Sequence, residues 1–411
     1  MKRALLAFVI LITGLAVNAQ DIKQAKKLLE KKDLAGARTQ IDAFVAANPD
    51  KAEGLYLKGK IYEAIAADET MRNTVPDAAK IAFDALKLAI ERKETSNELK
   101  LAEATDTKKF YDPLIALYSD YYKSGVAAFN AAVASQQQGD FEKAMSNFMS
   151  AENVGKYLTE IKIAQMPIVD TVIVLNIGQA AVNAGKEATA LKYFKKLVDA
   201  NIQGAGMELP YEWVAQYYLD KKDYDNFLKY QALGSKNLPG DNYFNLVLID
   251  YYSGKKDYPN LFKGYEEIIA KNPDSSIYRL EYASEMFNFA YRQDGGKVEK
   301  KDEYLKTIFT QLTKILDKHP DDVKANWLMA QYYYNTGVEN KTTSKENFTK
   351  SLTYLAKSIP QLESSSLKQD KSMYKSMVNL ASTMYEQLHQ PDKVKIYQQK
   401  YDDADKKFVN K

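Results

Sequence analysis

The chain has no cysteine among its 411 residues. That removes disulfides, thiolate zinc ligands and a thiol nucleophile together. It also removes lipid attachment at a newly cut N-terminus, because a bacterial lipoprotein carries a cysteine directly after its cleavage site; this chain is read as not a lipoprotein. Histidine is almost as scarce. His319 and His389 are the only two, each beside an expected helix end, and no pair at i, i+4 exists to hold zinc. Both are read as partners of a helix C-terminal dipole. The glycine motifs of nucleotide binding are missing too. Gly178 and Gly185-Lys186 lack phosphate-loop spacing, and Glu187 stands where a hydroxyl residue is required. Gly204-Ala205-Gly206 has no third glycine and no preceding strand. No Gly-x-Ser-x-Gly elbow occurs, and no carboxylate pair can be singled out as a glycosidase pair. The expectation is no catalytic residue, no metal and no cofactor: a protein that is not an enzyme.

Long apolar runs are also lacking. Beyond the first residues no stretch offers about 18 uninterrupted apolar residues, so no membrane span is expected after the N-terminal segment. Charge is nearly balanced, at 57 Lys+Arg against 54 Asp+Glu. Lys2 and Arg3 account for two of the basic residues, so the remainder gives no drive toward nucleic acid or an anionic membrane surface. Alternation of period two appears only at Thr171 to Leu175, in a slot that reads as helix despite its β-branched residues.

What is present begins with the layout of a secretory signal peptide over residues 1–19. Lys2 and Arg3 start it, an apolar stretch runs from Ala4 to Leu15, and Val17 and Ala19 occupy the positions a signal peptidase reads. Cleavage is expected between Ala19 and Gln20, giving an exported chain 20–411 whose first destination is the periplasm.

The exported chain repeats itself. One copy runs through Gly178, Gly185, Ala190, Phe194 and Leu197; a second through Gly139, Asp140, Phe141, Ala144, Phe148 and Ala151; a third through Asp33, Leu34, Ala37, Ile41, Phe44 and Pro49. In each, a small residue is followed four and then seven positions on by apolar ones, which places all three on one helix face. Pro239 and Pro273 are one 34-residue period apart, and the helices leading to them both open on Lys-Lys-Asp-Tyr, at Tyr224 and Tyr258. Prolines punctuate the pattern. Pro49, Pro239, Pro273, Pro320 and Pro360 are expected just after second helices. Pro76, Pro113, Pro167, Pro210, Pro259 and Pro391 are expected in or before first turns, so that none stands mid-helix.

These residues resemble the tetratricopeptide (TPR) repeat: a small residue inside helix A, a tight turn, a small residue early in helix B and a proline beyond it. The Gln after the cut and the Lys, Asn and Tyr usage resemble exported proteins of the Bacteroidota. The resemblance implies an all-α, right-handed α-solenoid of about nine antiparallel helix pairs, near 21–49, 52–95, 113–155, 165–200, 210–238, 242–273, 276–319, 322–359 and 369–407. Glycines such as Gly59 and Gly178 would let helices approach closely against a facing Ala or Leu. Several pairs are irregular: an insert spans Asp68 to Val75, the first helix of the third pair starts at Asp112–Pro113 and runs to about Gln137, and polar loops cover Gln293 to Lys301 and Gly337 to Ser344.

Thirty tyrosines remain to be explained. They cluster at Tyr121-Tyr122, Tyr217-Tyr218, Tyr251-Tyr252 and Tyr332-Tyr333-Tyr334, where one of each group fits the core position of helix A, its ring buried and its hydroxyl reaching water. In TPR-like folds the concave wall is lined from helix A at the second, fifth, ninth and twelfth positions. The resemblance therefore implies Glu53, Tyr56, Lys60 and Glu63 from one pair, Tyr243 and Asp250 from another, Lys324, Trp327, Gln331 and Tyr334 from a third, and Lys375 and Tyr385 from the last. Such a wall suits a protein or peptide segment. The function expected is a non-catalytic envelope scaffold or adaptor. Two alternatives stand beside it: a soluble glycan- or nutrient-binding carrier, and a structural component that associates with itself.

Overall fold

The computed structural model describes residues 22–68, 70–72, 74–93, 96–164, 170–292, 298–365 and 367–408. The expected signal segment, its cleavage site and Pro167 lie outside the described residues. Within them are eighteen α-helices and no β-strand. Thr171 to Leu175 is helical, as its slot implied. Consecutive helices pack in pairs; the chain divides into two compact units between Asn237 and Leu238, and within each unit every pair packs on its neighbours in sequence.

The first unit holds α1 (Ile22–Glu30) and α2 (Leu34–Ala47), α3 (Ala52–Ala67) and α4 (Ala78–Glu91), α5 (Asn97–Ser135) and α6 (Gln138–Glu160), α7 (Thr171–Asn183) and α8 (Glu187–Asp199), and α9 (Glu208–Asp220) and α10 (Tyr224–Asn237). The second holds α11 (Tyr243–Lys255) and α12 (Tyr258–Lys271), α13 (Ser276–Ala290) and α14 (Lys301–Lys318), α15 (Val323–Glu339) and α16 (Ser344–Ser365), and α17 (Lys371–Gln387) and α18 (Pro391–Lys407).

The Lys-Lys-Asp-Tyr repeat is a hairpin turn written in sequence. Its second lysine adopts a left-handed conformation, φ 58° at Lys222 and 56° at Lys256. The aspartate that follows accepts a hydrogen bond from the backbone of the new helix, Asn226 on Asp223 and Asn260 on Asp257, filling one of the donors a helix start leaves unpaired. Lys32 and Asp33 do the same before α2.

Helix pairs close on glycine. A β-carbon on Gly125, Gly178 or Gly337 would collide with the ring of Phe148, Phe194 or Phe348 on the partner helix, and one on Gly59 would collide with Leu86. Helix A therefore presents a hole and helix B a knob; of the two glycines for which a facing Ala or Leu is expected from sequence, Gly59 meets Leu86 and Gly178 meets a phenylalanine, Phe194.

Two prolines depart from expectation. Pro113 lies inside α5, which starts at Asn97 rather than at Asp112. The helix breaks earlier, at Asp106 (φ −158°, ψ 77°), whose carboxylate accepts from Lys109 N and restarts it; Pro113 is then about two turns into the second segment. Pro360 lies inside α16. Its neighbours Ser358, Ile359 and Leu362 are buried, and Ser358 donates to the Val323 carbonyl, so packing on both sides overrides the local cost of an interior proline. Gly337, taken from sequence as the start of a loop, is buried within α15 because Phe348 packs onto it. His319 ends α14 and His389 follows α17 in a left-handed turn.

Candidate binding groove

A groove of about 1030 Å³ lies in the first unit, lined from the insert before α4, from α4, and from α5 and α6. Local chemistry sets each wall. In the insert, Asp68 accepts from the backbone of Thr70 and Met71 and from the Thr70 hydroxyl at 2.6–2.9 Å, and Val75 is buried beneath. Those bonds hold the Asp68 carboxyl below the usual carboxylate range. The floor is α5: Ala127, Ala128 and Ala131 line it, at helical spacing on one face. The wall is α6, where Lys143, Ser146, Asn147, Ser150 and Asn153 all line the groove, again one face by spacing.

Helices α5 and α6 are joined by the short turn at Gln136 and Gln137, so residues equidistant from it face each other. Ala131 and Lys143 mark one end of the groove; Asp120, Tyr121 and Asn153 mark the other. Tyr121 closes the second end. Its ring is half-buried, and burial, with Asp84 and then Asp77 nearby, pushes its hydroxyl up to about 12 against the opposing Ser150 hydrogen bond. Lys80 pairs with Asp84 at 2.6 Å. Asp77 precedes α4 without making a capping hydrogen bond. Lys123, Lys143, Asp77 and Asp120 line the groove with no salt bridge among the described residues.

The residues singled out from sequence are distributed over both units. In α3, Glu53 accepts from Ser96 at 2.6 Å. Tyr56 stacks on Phe110 at 4.9 Å and donates to its carbonyl at 2.8 Å; burial, then Asp112, pushes its hydroxyl up to about 12. Glu63 is raised by burial and by Asp120, with Lys60 opposing. This row is thus brought together, but α5 lies against Tyr56 and Glu63, and Lys60 is the one of the four that is exposed. In the second unit Tyr243 is partly buried beside Phe244 at 5.3 Å, and Asp250 is exposed. Along α15, Lys324 is exposed and Gln331 partly so, while Trp327 and Tyr334 pack against the core and Tyr334 lies over Phe348 at 5.7 Å. In α17, Lys375 pairs with Asp405 at 2.8 Å and Tyr385 meets Tyr397 at 5.2 Å; the helix starts three residues before the register assumed for it.

None of the groove residues was among those candidates. Transferring four fixed positions per helix A misses a site built from helix B, an insert and an over-long helix. The signals were in the sequence: the Asp68 to Val75 insert, the length of α5, and polar residues at 143, 146, 147, 150 and 153.

Eighteen helices among the described residues, packed in nine pairs with glycine holes, aromatic knobs and one recurring turn, define an all-α helical-repeat protein with a TPR-like fold. No family model and no curated protein matches the chain. Among solved structures it is similar to the human IFIT1 dimer with m7Gppp-AAAA, at 14% identity over 84% of this chain and 68% of that one, with a TM-score of 0.30. It is similar to the TPR domain of P58(IPK), at 14% identity over 90% and 98%, TM-score 0.25. It is also similar to the APC/C hetero-tetramer Cut9-Hcn1, at 12% identity over 92% and 72%, TM-score 0.28. No helix among the described residues is long and apolar enough to cross a membrane, and no group of three His, Cys, Asp or Glu among them could hold a metal ion.

Proposed function

We propose that the protein is an exported, non-catalytic scaffold of the cell envelope that holds a segment of a partner protein in the α4–α6 groove. The carrying observation is the groove itself: about 1030 Å³ bounded by helices, with a floor of small apolar side chains and a wall of amides and hydroxyls. An extended polypeptide needs that combination, because its backbone must find hydrogen bonds while its side chains need depth. The signal-peptide layout of residues 1–19 supports export to the periplasm, and N-terminal sequencing of the protein from a periplasmic fraction should begin at Gln20. Cross-linking the tagged chain in cells, followed by mass spectrometry, should recover a defined set of envelope proteins that is lost in Ala127→Trp. Recovery of the protein alone would contradict the proposal.

One feature favours a glycan carrier as the second reading. In the same unit a cleft of about 280 Å³ is lined by Trp213, Tyr217, Glu187, Gln216 and Lys221, with the indole stacked on Tyr217 at 5.4 Å. Rings with a polar rim suit a sugar. Calorimetry with oligosaccharides would show heat of binding that Trp213→Ala removes; no heat from any of them would dismiss it.

A further inference from the structure

Between Asp112 and Asp140 the chain carries only two charged residues, Asp120 and Lys123, and both line the α4–α6 groove. By helical spacing the opposite face of α5 is uncharged. Ile115, Tyr122 and Phe129 recur on that face every seven residues, and Ser119, Val126 and Val133 follow each of them by four, which is the spacing of a coiled-coil seam. The row rises roughly 27 Å along the helix. Ile115 is 43% exposed and Val133 50%, and the four residues between them are half-buried. Tyr122 and Phe129 rest on Phe148 and Phe141 of α6, at 5.9 and 5.5 Å, which fixes the rings while part of each stays in water. Helix α7 extends the same surface. It lies beside α5 at both ends: Tyr118 donates to Asp170 at 3.2 Å, and Phe129 packs with Ala132 and Ala184. No charged residue occurs in Thr171–Asn183, and Val172 is 55% exposed. In a chain whose residues are 27% charged, two adjoining helices that expose apolar side chains and no charge mark a surface that is covered.

The order of sizes along the row selects what covers it. Reversed about its midpoint at Ser124, the row is its own complement: Ile115 falls opposite Val133, Tyr122 opposite Val126 and Phe129 opposite Ser119. Each layer then sets a larger side chain against a smaller one, which is how two antiparallel helices interdigitate. Parallel copies would instead set Tyr122 on Tyr122 and Phe129 on Phe129. We propose that a second copy of this chain docks here, α5 against α5 about a twofold axis at Ser124, making the protein a homodimer through its first unit. A twofold contact brings each surface against itself, which an uncharged face tolerates and a face of one charge does not. The α4–α6 groove lies on the other side of α5 and stays outside the contact, so the dimer does not depend on what that groove binds.

Sedimentation velocity of the full exported chain tests this, and monomer should give way to dimer within about 1–100 µM. Val133→Lys, at the exposed end of the row, should weaken the dimer at least about tenfold by burying a charge against Ile115 of the second copy, with circular dichroism unchanged. Ile277→Lys, exposed in the second unit, should leave the dimer as it is. Because the chain has no cysteine, the register can be read directly. Ile115→Cys together with Val133→Cys should give a disulfide-linked dimer on mild oxidation. Neither change alone should do so: equivalent positions in the two copies would lie roughly 27 Å apart, as 115 and 133 do within one chain, and a disulfide joins Cα atoms no more than about 7 Å apart. A monomer at every concentration would overturn the proposal. So would a dimer indifferent to Val133→Lys, or single-cysteine chains that link as readily as the double variant. A monomeric chain in which a photo-cross-linking group at Ile115 captures a different protein in cells would overturn it in favour of a foreign helix.

Discussion

Phe194 packs onto Gly178 so closely that a β-carbon on the glycine would fall against the ring edge. The ring is fully buried in α8, with Tyr193 and Leu197 beside it, and cannot retreat without opening the pair. Gly178→Ala should therefore lower stability by about 1–3 kcal/mol despite alanine's better helix propensity. Gly139→Ala is the control: nothing lies within 4 Å of a β-carbon there, and the change should be neutral or mildly stabilising. Urea unfolding of the two variants separates them.

Glu152 ties α6 to α8. Its carboxylate, 7% exposed, takes the Tyr193 hydroxyl at 2.8 Å and the Lys196 and Lys156 ammonium groups at 2.9 Å. Burial alone would raise its pKa, but those three partners outweigh it and hold the group below the usual range. A carboxyl depressed in the folded state contributes stability above its unfolded pKa of about 4.3, and that contribution is lost as pH falls through the lower folded value. Glu152→Gln should cost about 2 kcal/mol at neutral pH, and the gap to the parent chain should narrow in denaturation measured below pH 4.5 or so.

Glu63 is the opposite case. Burial and Asp120 raise it above the ordinary value, so its charge opposes folding, and stability falls as pH rises through the window between the unfolded and folded pKa. Glu63→Gln should raise the thermal midpoint at neutral pH and leave it unchanged in acid, where the parent residue is already protonated. A lower midpoint at neutral pH would show that the carboxylate has a favourable partner in the folded state.

Much of this fold is legible in the sequence because it is built from local rules that repeat. The Lys-Lys-Asp-Tyr turns carry their own backbone conformation and cap. The small-then-apolar spacing at Ala190, Phe194 and Leu197 places those side chains on a buried face. Pro113 misled because α5 begins a segment earlier and restarts at the Asp106 break, and Pro360 because the burial around Ser358 is set by a neighbour distant in sequence, Val323. The site was the least legible part. Its floor is alanine, the residue that signals nothing by itself, and its wall becomes one only when α6 is set beside α5 and the insert. Tyr56 and Glu63 looked like surface residues of a repeat, and α5 lies over them.

One ring closes the end of the last helix pair. Phe408, beyond α18, is buried against Tyr374 at 4.7 Å, while Glu363 of α16 takes the Tyr374 hydroxyl at 2.7 Å and Lys400 of α18 at 2.9 Å. Phe408→Ala should cost about 3 kcal/mol and loosen α17 and α18 before the rest of the second unit. Hydrogen exchange would show faster exchange confined to those helices; a uniform loss of protection would mean the unit unfolds as a whole.

The central claim is that the α4–α6 groove is where a partner protein binds. A photo-cross-linking amino acid placed at Ala127, on the exposed floor of the groove, tests it most directly, with the same group at Ile277, 67% exposed in the second unit, as the reference. Irradiated cells should yield discrete cross-linked envelope proteins from position 127 and none of these from 277. Identical products from both positions, or none from 127, would contradict the account.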